Sequence, residues 1–131
     1  MENEHLSKST IFPLGEKVIV NFTGDAYLQM VFTDPAPLNT AIGNVTFAPG
    51  ARNNWHAHRA GQVLLVTGGK GWYQEEDKPA RLLQTGDVIN IPPNVKHWHG
   101  ATKDSWFVHL AMTPGDTEWF EAVEDKWFDQ L

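Results

Sequence analysis

The sequence predicts an all-β fold, an antiparallel barrel or sandwich that ends in one short helix, on three observations. Short runs rich in Val, Ile, Phe, Tyr and Trp recur along the chain, each closed by Gly, Pro, Asn or Asp. Only the carboxy-terminal end departs from this pattern, because Trp119, Val123 and Trp127 recur every fourth residue and so share a helical face. Histidines 56, 58, 97, 99 and 109 all fall on predicted strands or their edges.

Taken in order, residues 1–10 are polar and charged and read as a flexible tail, with His5 a solvated terminal histidine. Residues 11–131 read as a single domain. Residues 17–22 predict a strand, Thr23-Gly24-Asp25 its turn, and residues 27–32 a second strand. Asp34-Pro35-Ala36-Pro37 breaks regular structure, since proline lacks the donor a ladder needs. Residues 43–47 form a third strand, stopped by Pro49-Gly50. Gly68-Gly69-Lys70-Gly71 reads as a hairpin turn. It leads into Trp72-Tyr73-Gln74, a strand and not a helix amino terminus, so a phosphate-cradling loop is excluded. A charged loop at 75–79 precedes short strands at 81–84 and 88–91, the latter ended by Pro92-Pro93-Asn94. After His97-Trp98-His99, residues 105–112 are the last strand, and 117–128 an amphipathic helix with Asp116 as its N-cap.

Composition removes several functional classes. With 131 residues, 41% hydrophobic, the chain supports one real core. The absence of cysteine excludes a disulfide framework, a thiolate zinc site and a thiol nucleophile, and suits a reducing, cytoplasmic location. Residues 1–10 lack the apolar centre of a signal peptide, and no apolar run approaches the roughly 18 residues of a membrane span. A net charge of −6 without a basic stripe argues against nucleic acid as a partner.

The histidines carry the chemistry. Side chains alternate faces along a strand, so His56 and His58 project to one side and can grip a single ion. Gln62 offers its amide oxygen to the same ion if the chain turns back after Gly61, or else it hydrogen-bonds a water. A lone strand histidine is usually a hydrogen-bonded core residue, but two His-x-His pairs and a fifth histidine are hard to explain that way. Imidazole and amide oxygen suit Mn, Fe, Co, Ni or Zn, and the lack of sulfur argues against a structural zinc. His109, between Val108 and Leu110, reads as a base or as a buried structural histidine. Val45, Phe47 and Leu64 have the parity to line an apolar substrate pocket, and Gly43 on that face leaves room in it. Trp55 and Trp98 flank the ligands and should point away, toward outer packing or a subunit interface.

These residues resemble the two cupin motifs. Gly50, five residues, His56-x-His58, three residues, Gln62, six residues and Gly69 match the first, and Gly86, five residues, Pro92 and then His97 the second, with sixteen residues between. The resemblance covers most of residues 17–112 and implies a double-stranded β-helix (jelly-roll) barrel holding a metal, commonly as a homodimer or homotetramer. Gln62 stands where the family usually has Glu, Asn94 where it has Gly, and Ala101 where it has Asn. Gly50-Ala51-Arg52, Trp55-His56, Gln62, Lys96-His97-Trp98-His99-Gly100-Ala101 and His109-Leu110-Ala111 are further similar to small bacterial cupins with hydroxynitrile lyase activity. They are similar too to the cupins found alongside carboxymuconolactone decarboxylases.

What the likeness implies is specific. One divalent metal per chain, manganese by this likeness and otherwise Fe, Zn, Ni or Co, would be held by His56, His58, Gln62 and His97. His109 would handle a proton, with His99 a second pocket base or a core histidine. A neutral amide in place of a carboxylate leaves both charges of the ion uncompensated, a difference on the order of several kcal/mol at contact distance. The ion would then acidify a bound water or polarise a carbonyl more strongly. The expected activity is a lyase-type reaction on a small hydroxynitrile or carbonyl substrate. A metal-dependent dioxygenase and a non-catalytic small-molecule-binding cupin are the alternatives.

Overall fold

The computed structural model describes residues 11–33 and 38–131. The expected tail at 1–10, with His5, and the proline break at 34–37 lie outside these. Among the described residues twelve strands form a nearly closed antiparallel barrel: β1 Glu16–Val18, β2 Phe22–Thr23, β3 Ala26–Phe32, β4 Ala41–Phe47, β5 Arg52–Asn53, β6 His56–His58, β7 Gln62–Glu75, β8 Arg81–Gln84, β9 Val88–Ile91, β10 His97–Ala101, β11 Phe107–Thr113 and β12 Thr117–Trp119. One short helix follows, α1 Asp125–Phe128. Along the main path the order is β1-β3-β4-β11-β7-β10-β5-β2, with β8 and β9 pairing β7, and β6 pairing β10 and β12. No helix is long and apolar enough to cross a membrane among the described residues.

The glycine cluster is a correction to the sequence reading. Residues 68–71 do not reverse the chain, because β7 runs straight through them. Its first half pairs with β9 and β11 and its second with β8 and β10, so the strand passes from one face of the barrel to the other. Opposite β11, Val66 faces His109 and Gly68 faces Val108, leaving Thr67 as the extra residue of a bulge. That residue reverses the alternation, so Val66 and Tyr73 both enter the core although seven positions separate them. Glycine is needed at the crossing: a Cβ at Gly71 would lie 2.5 Å from the Phe107 ring and 2.6 Å from the Gly100 carbonyl oxygen.

The carboxy-terminal helix is also shorter than its periodicity predicts. Residues 117–119 are a strand that pairs with β6, Thr117 opposite His58 and Trp119 opposite His56. Asp116 is therefore no N-cap, and residues 105–112 are not the last strand. Edge pairing and the packing of Trp119 on His56 override the fourfold spacing. The predicted strand 17–22 is likewise two short ones, β1 and β2, broken at Asn21, whose φ is +70°.

Two cores result. Inside the barrel, Phe47, Leu64, Tyr73, Leu83, Ile91 and Phe107 pack together. Outside it, the returning carboxy-terminal arm lays Val123 and Phe128 over Trp98, which is fully buried and donates its indole N–H to Gln74 Oε1 at 2.9 Å. Trp98 points away from the barrel interior as expected and takes up outer-face packing, covered by the chain's own arm. Removing an indole of this size from water contributes roughly 5 kcal/mol on an apolar-area basis. The arm is fastened by Arg52, whose buried guanidinium donates to the Val123 carbonyl at 2.9 Å from Nη2, pairs with Asp125 and lies 4.2 Å from the Phe128 ring centre.

Candidate metal centre and active site

The histidine-bearing strands come together inside one end of the barrel. His97 on β10 stands opposite His56 on β6, and their ring centres are 4.2 Å apart. His58 follows from alternation, 4.8 Å from His56 and 5.2 Å from His97. A turn at Arg59-Ala60, closed by Gly61 at φ +83°, then brings Gln62 in at the start of β7. All four side chains are buried.

Their hydrogen bonds show which atoms face the centre. His56 Nδ1 bonds the Asn54 carbonyl and His97 Nδ1 the Val95 carbonyl, both at 2.8 Å. A carbonyl only accepts, so each Nδ1 carries the proton and each Nε2 keeps a lone pair. His58 Nδ1 bonds Thr117 Oγ1 and Gln62 Nε2 donates to Thr113 Oγ1, again at 2.8 Å each. Among the described residues six buried side-chain N or O atoms lack a partner, and His58 Nε2, Gln62 Oε1, His97 Nε2 and His109 Nδ1 are four of them. Buried polar atoms are rarely left unpaired without reason, and three of these belong to residues expected as ligands.

His56, His97 and His99 offer one nitrogen each within 4.8 Å of one another, a grouping that fits a divalent metal ion. His58 and Gln62 make the stronger case beside His56 and His97, because the His99 ring already has neighbours. Asn53 Oδ1 accepts the His99 backbone N–H at 2.9 Å, which turns Asn53 Nδ2 onto the ring, 3.2 and 3.3 Å from its two nitrogens. His109 Nε2 lies 3.1 Å from His99 Nδ1. One of these two nitrogens donates to the other, and His109 Nδ1 is left without a partner.

Burial keeps every one of these imidazoles neutral. It lowers His58 and His97 to about 4 and His109 to about 3, and holds His56 and His99 well below the usual 6.5. Crowding by neighbouring imidazoles adds to the effect of burial on His56, His58 and His99. A neutral imidazole both ligates and accepts a proton.

A cavity of about 380 Å³ opens onto this cluster. His56, His58, Gln62, His99 and His109 border it, as do Gly43 and Val45 from the expected pocket. Phe47 and Leu64 share that face but belong to the packed core, Phe47 with its ring 5.9 Å from His99 and 5.6 Å from His109. Sequence reasoning missed Asn53, Thr113, Thr117 and Trp119, whose ring sits 4.7 Å from that of His56. Nothing in their residue types or spacing singles them out.

Residues 43–114 match the cupin domain family. An (R)-mandelonitrile lyase of Granulicella tundricola is 40% identical over 109 residues, 80% of this chain and 83% of that protein. Among solved structures, a cupin-like protein of Thermotoga maritima is 44% identical with a TM-score of 0.87, over 92% of this chain and 95% of its own. A predicted oxalate decarboxylase of the same organism shares the fold alone, with a TM-score of 0.70 at 16% identity, over 84% of this chain and 96% of its own.

Proposed function

The chain belongs to the cupin domain family, and from that premise we propose that it is a metal-dependent lyase that cleaves and forms the C–C bond of a small hydroxynitrile. The observation that carries the reading is the set of inward-facing atoms without partners, His58 Nε2, Gln62 Oε1 and His97 Nε2, beside His109 Nδ1. His56, His58, Gln62 and His97 would hold the ion, manganese by resemblance to the hydroxynitrile lyases. When bound, it supplies Lewis acidity that no carboxylate in the set offsets.

The chain's own residues account for the proton and the fit. Cleavage removes the hydroxyl proton of the cyanohydrin, forms the carbonyl, and sends the C–C electron pair out with cyanide, which takes up a proton to leave as HCN. His109 Nδ1, unpartnered on a neutral imidazole, accepts the hydroxyl proton in the tautomer whose Nε2 donates to His99 Nδ1. Asn53 fixes the His99 ring from the opposite side. Val45 and Gly43, with Leu28 and Met30 packed over Gly43, give the cavity an apolar wall for an organic substituent, which also limits water at the reacting carbon.

Elemental analysis of the purified protein, followed by reloading with manganese, iron or zinc and an assay of benzaldehyde release from mandelonitrile, tests this reading. Turnover that depends on a divalent ion is expected, and its absence with every ion overturns the assignment. The grouping of His56, His97 and His99 also suits a three-histidine iron oxygenase. Oxygen uptake by iron-loaded protein with a catechol or diketone separates that second reading. The partly buried outward residues Val63, Leu65, Leu110 and Met112, with exposed Val88, support a homodimer or homotetramer, which sedimentation checks.

A further inference from the structure

We propose that Thr113 and Thr117 are positioning residues of the metal centre, their hydroxyls holding Gln62 and His58 in the orientation that presents a ligand atom. The inference rests on the four-ligand reading of the site. Its four side chains are held by two different means. His56 and His97 each bond the backbone carbonyl two residues earlier, Asn54 and Val95. That partner belongs to the ligand's own chain segment, and no side-chain replacement removes it.

His58 and Gln62 have no such carbonyl. Their partners are the hydroxyls of Thr117 and Thr113, 59 and 51 residues away, at 2.8 Å each. Both threonines border the cavity and flank one corner of the chain, where β11 ends at Thr113 and β12 begins at Thr117. The corner is itself anchored. Arg59 N–H donates to the Asp116 carbonyl at 3.0 Å, and Gly115 turns the chain at φ +96°, where an added Cβ would lie 3.2 Å from the Ala60 Cβ. One short corner therefore sets both hydroxyls against two ligands of the same ion.

The consequence follows from what each hydroxyl holds back. His58 Nε2 and Gln62 Oε1 face inward, buried and unpaired, only while Nδ1 and the amide nitrogen are engaged behind them. Without the hydroxyl, a second buried polar atom loses its partner and the imidazole or amide turns to find another. A hydroxyl also both donates and accepts, so the contact survives either tautomer of His58.

The test measures metal binding on the full chain by manganese competition with a chelating dye and by the manganese paramagnetic resonance spectrum. Thr113→Val and Thr117→Val keep the branched shape and remove the hydroxyl, and each should weaken manganese binding by about 10- to 100-fold with a changed spectrum. Thr113→Ser and Thr117→Ser restore the hydroxyl and should recover affinity to within a few-fold. Wild-type affinity and spectrum in both valine variants overturn the proposal, as do serine variants that bind as weakly as the valine ones. Should a valine variant not fold, the alanine variant at the same position carries the same expectation. A wild-type chain that binds no divalent ion at all overturns the four-ligand reading itself, an outcome distinct from either of these.

Discussion

His109 Nε2 lies 3.1 Å from Nδ1 of His99, and this contact ties the buried imidazole of β11 to strand β10, which also carries His97. An imidazole so placed is neutral, buried and next to the candidate ligands. His109→Ala should therefore keep its metal content and lose about 10²- to 10⁴-fold in kcat for mandelonitrile. Elemental analysis beside single-substrate kinetics checks it, and full activity in the variant removes His109 from the reaction. Asn53→Ala, which frees the His99 ring, should show a smaller loss of the same kind.

Acid should unfold the metal-stripped protein through the same histidines. In the unfolded chain they protonate near 6.5, whereas folding lowers His58 and His97 to about 4 and His109 to about 3. Between those values the unfolded state binds more protons, so stability rises with pH. The stabilisation is complete above about pH 6.5 and is lost progressively as the pH falls from there to about 4, His109 continuing to about 3. Urea midpoints taken between pH 7.5 and 4 should hold steady above neutrality and then drop, and a flat profile contradicts the neutral cluster.

Charge at position 62 is the next test. Gln62→Glu places a carboxylate within reach of the same Thr113 hydroxyl and would offset part of the charge of an ion held there. Opposite unit charges near 4 Å attract by about 4 kcal/mol at an effective dielectric of about 20, before desolvation of the new carboxylate is subtracted. Manganese affinity should rise by tenfold or more while kcat falls, because the ion polarises a bound oxygen less. Titration against a chelator and steady-state kinetics on one preparation read both effects.

Arg52 predicts an asymmetry in stability. Its guanidinium is buried and bonds the Val123 carbonyl, whereas its ion-pair partner Asp125 has a side chain 81% exposed. Arg52→Ala removes the charged bonds and the stacking on Phe128 and should cost about 2–3 kcal/mol. Asp125→Asn should cost less than about 1 kcal/mol, since an exposed partner adds little. Chemical denaturation of the two variants separates them, and equal losses contradict the account.

Much of the centre was legible in the sequence because strand alternation is a strictly local rule. His56 with His58, and His97 with His99, share a face whatever the chain does elsewhere, and Gly61 marks the turn that returns Gln62. The glycine run at 68–71 misled for a complementary reason. Glycine signals a hairpin or a crossing equally well, and only the Phe107 ring and the Gly100 carbonyl against Gly71 make it a crossing. Trp119 misled in the same way, since its fourfold spacing to Val123 and Trp127 is a helical pattern that pairing with β6 overrides.

The sequence by itself determined the β class, the inward parity of the histidines and the neutral, carboxylate-free character of the side chains at 56, 58, 62 and 97, because residue type and spacing along one strand suffice for these. The tertiary structure alone decided which groups stand behind them. Thr113 and Thr117 behind Gln62 and His58, Asn53 behind His99, and Arg52 behind the carboxy-terminal arm are contacts between segments 46 to 73 residues apart. Such pairings are set by how the strands close into a barrel, and no local pattern records them.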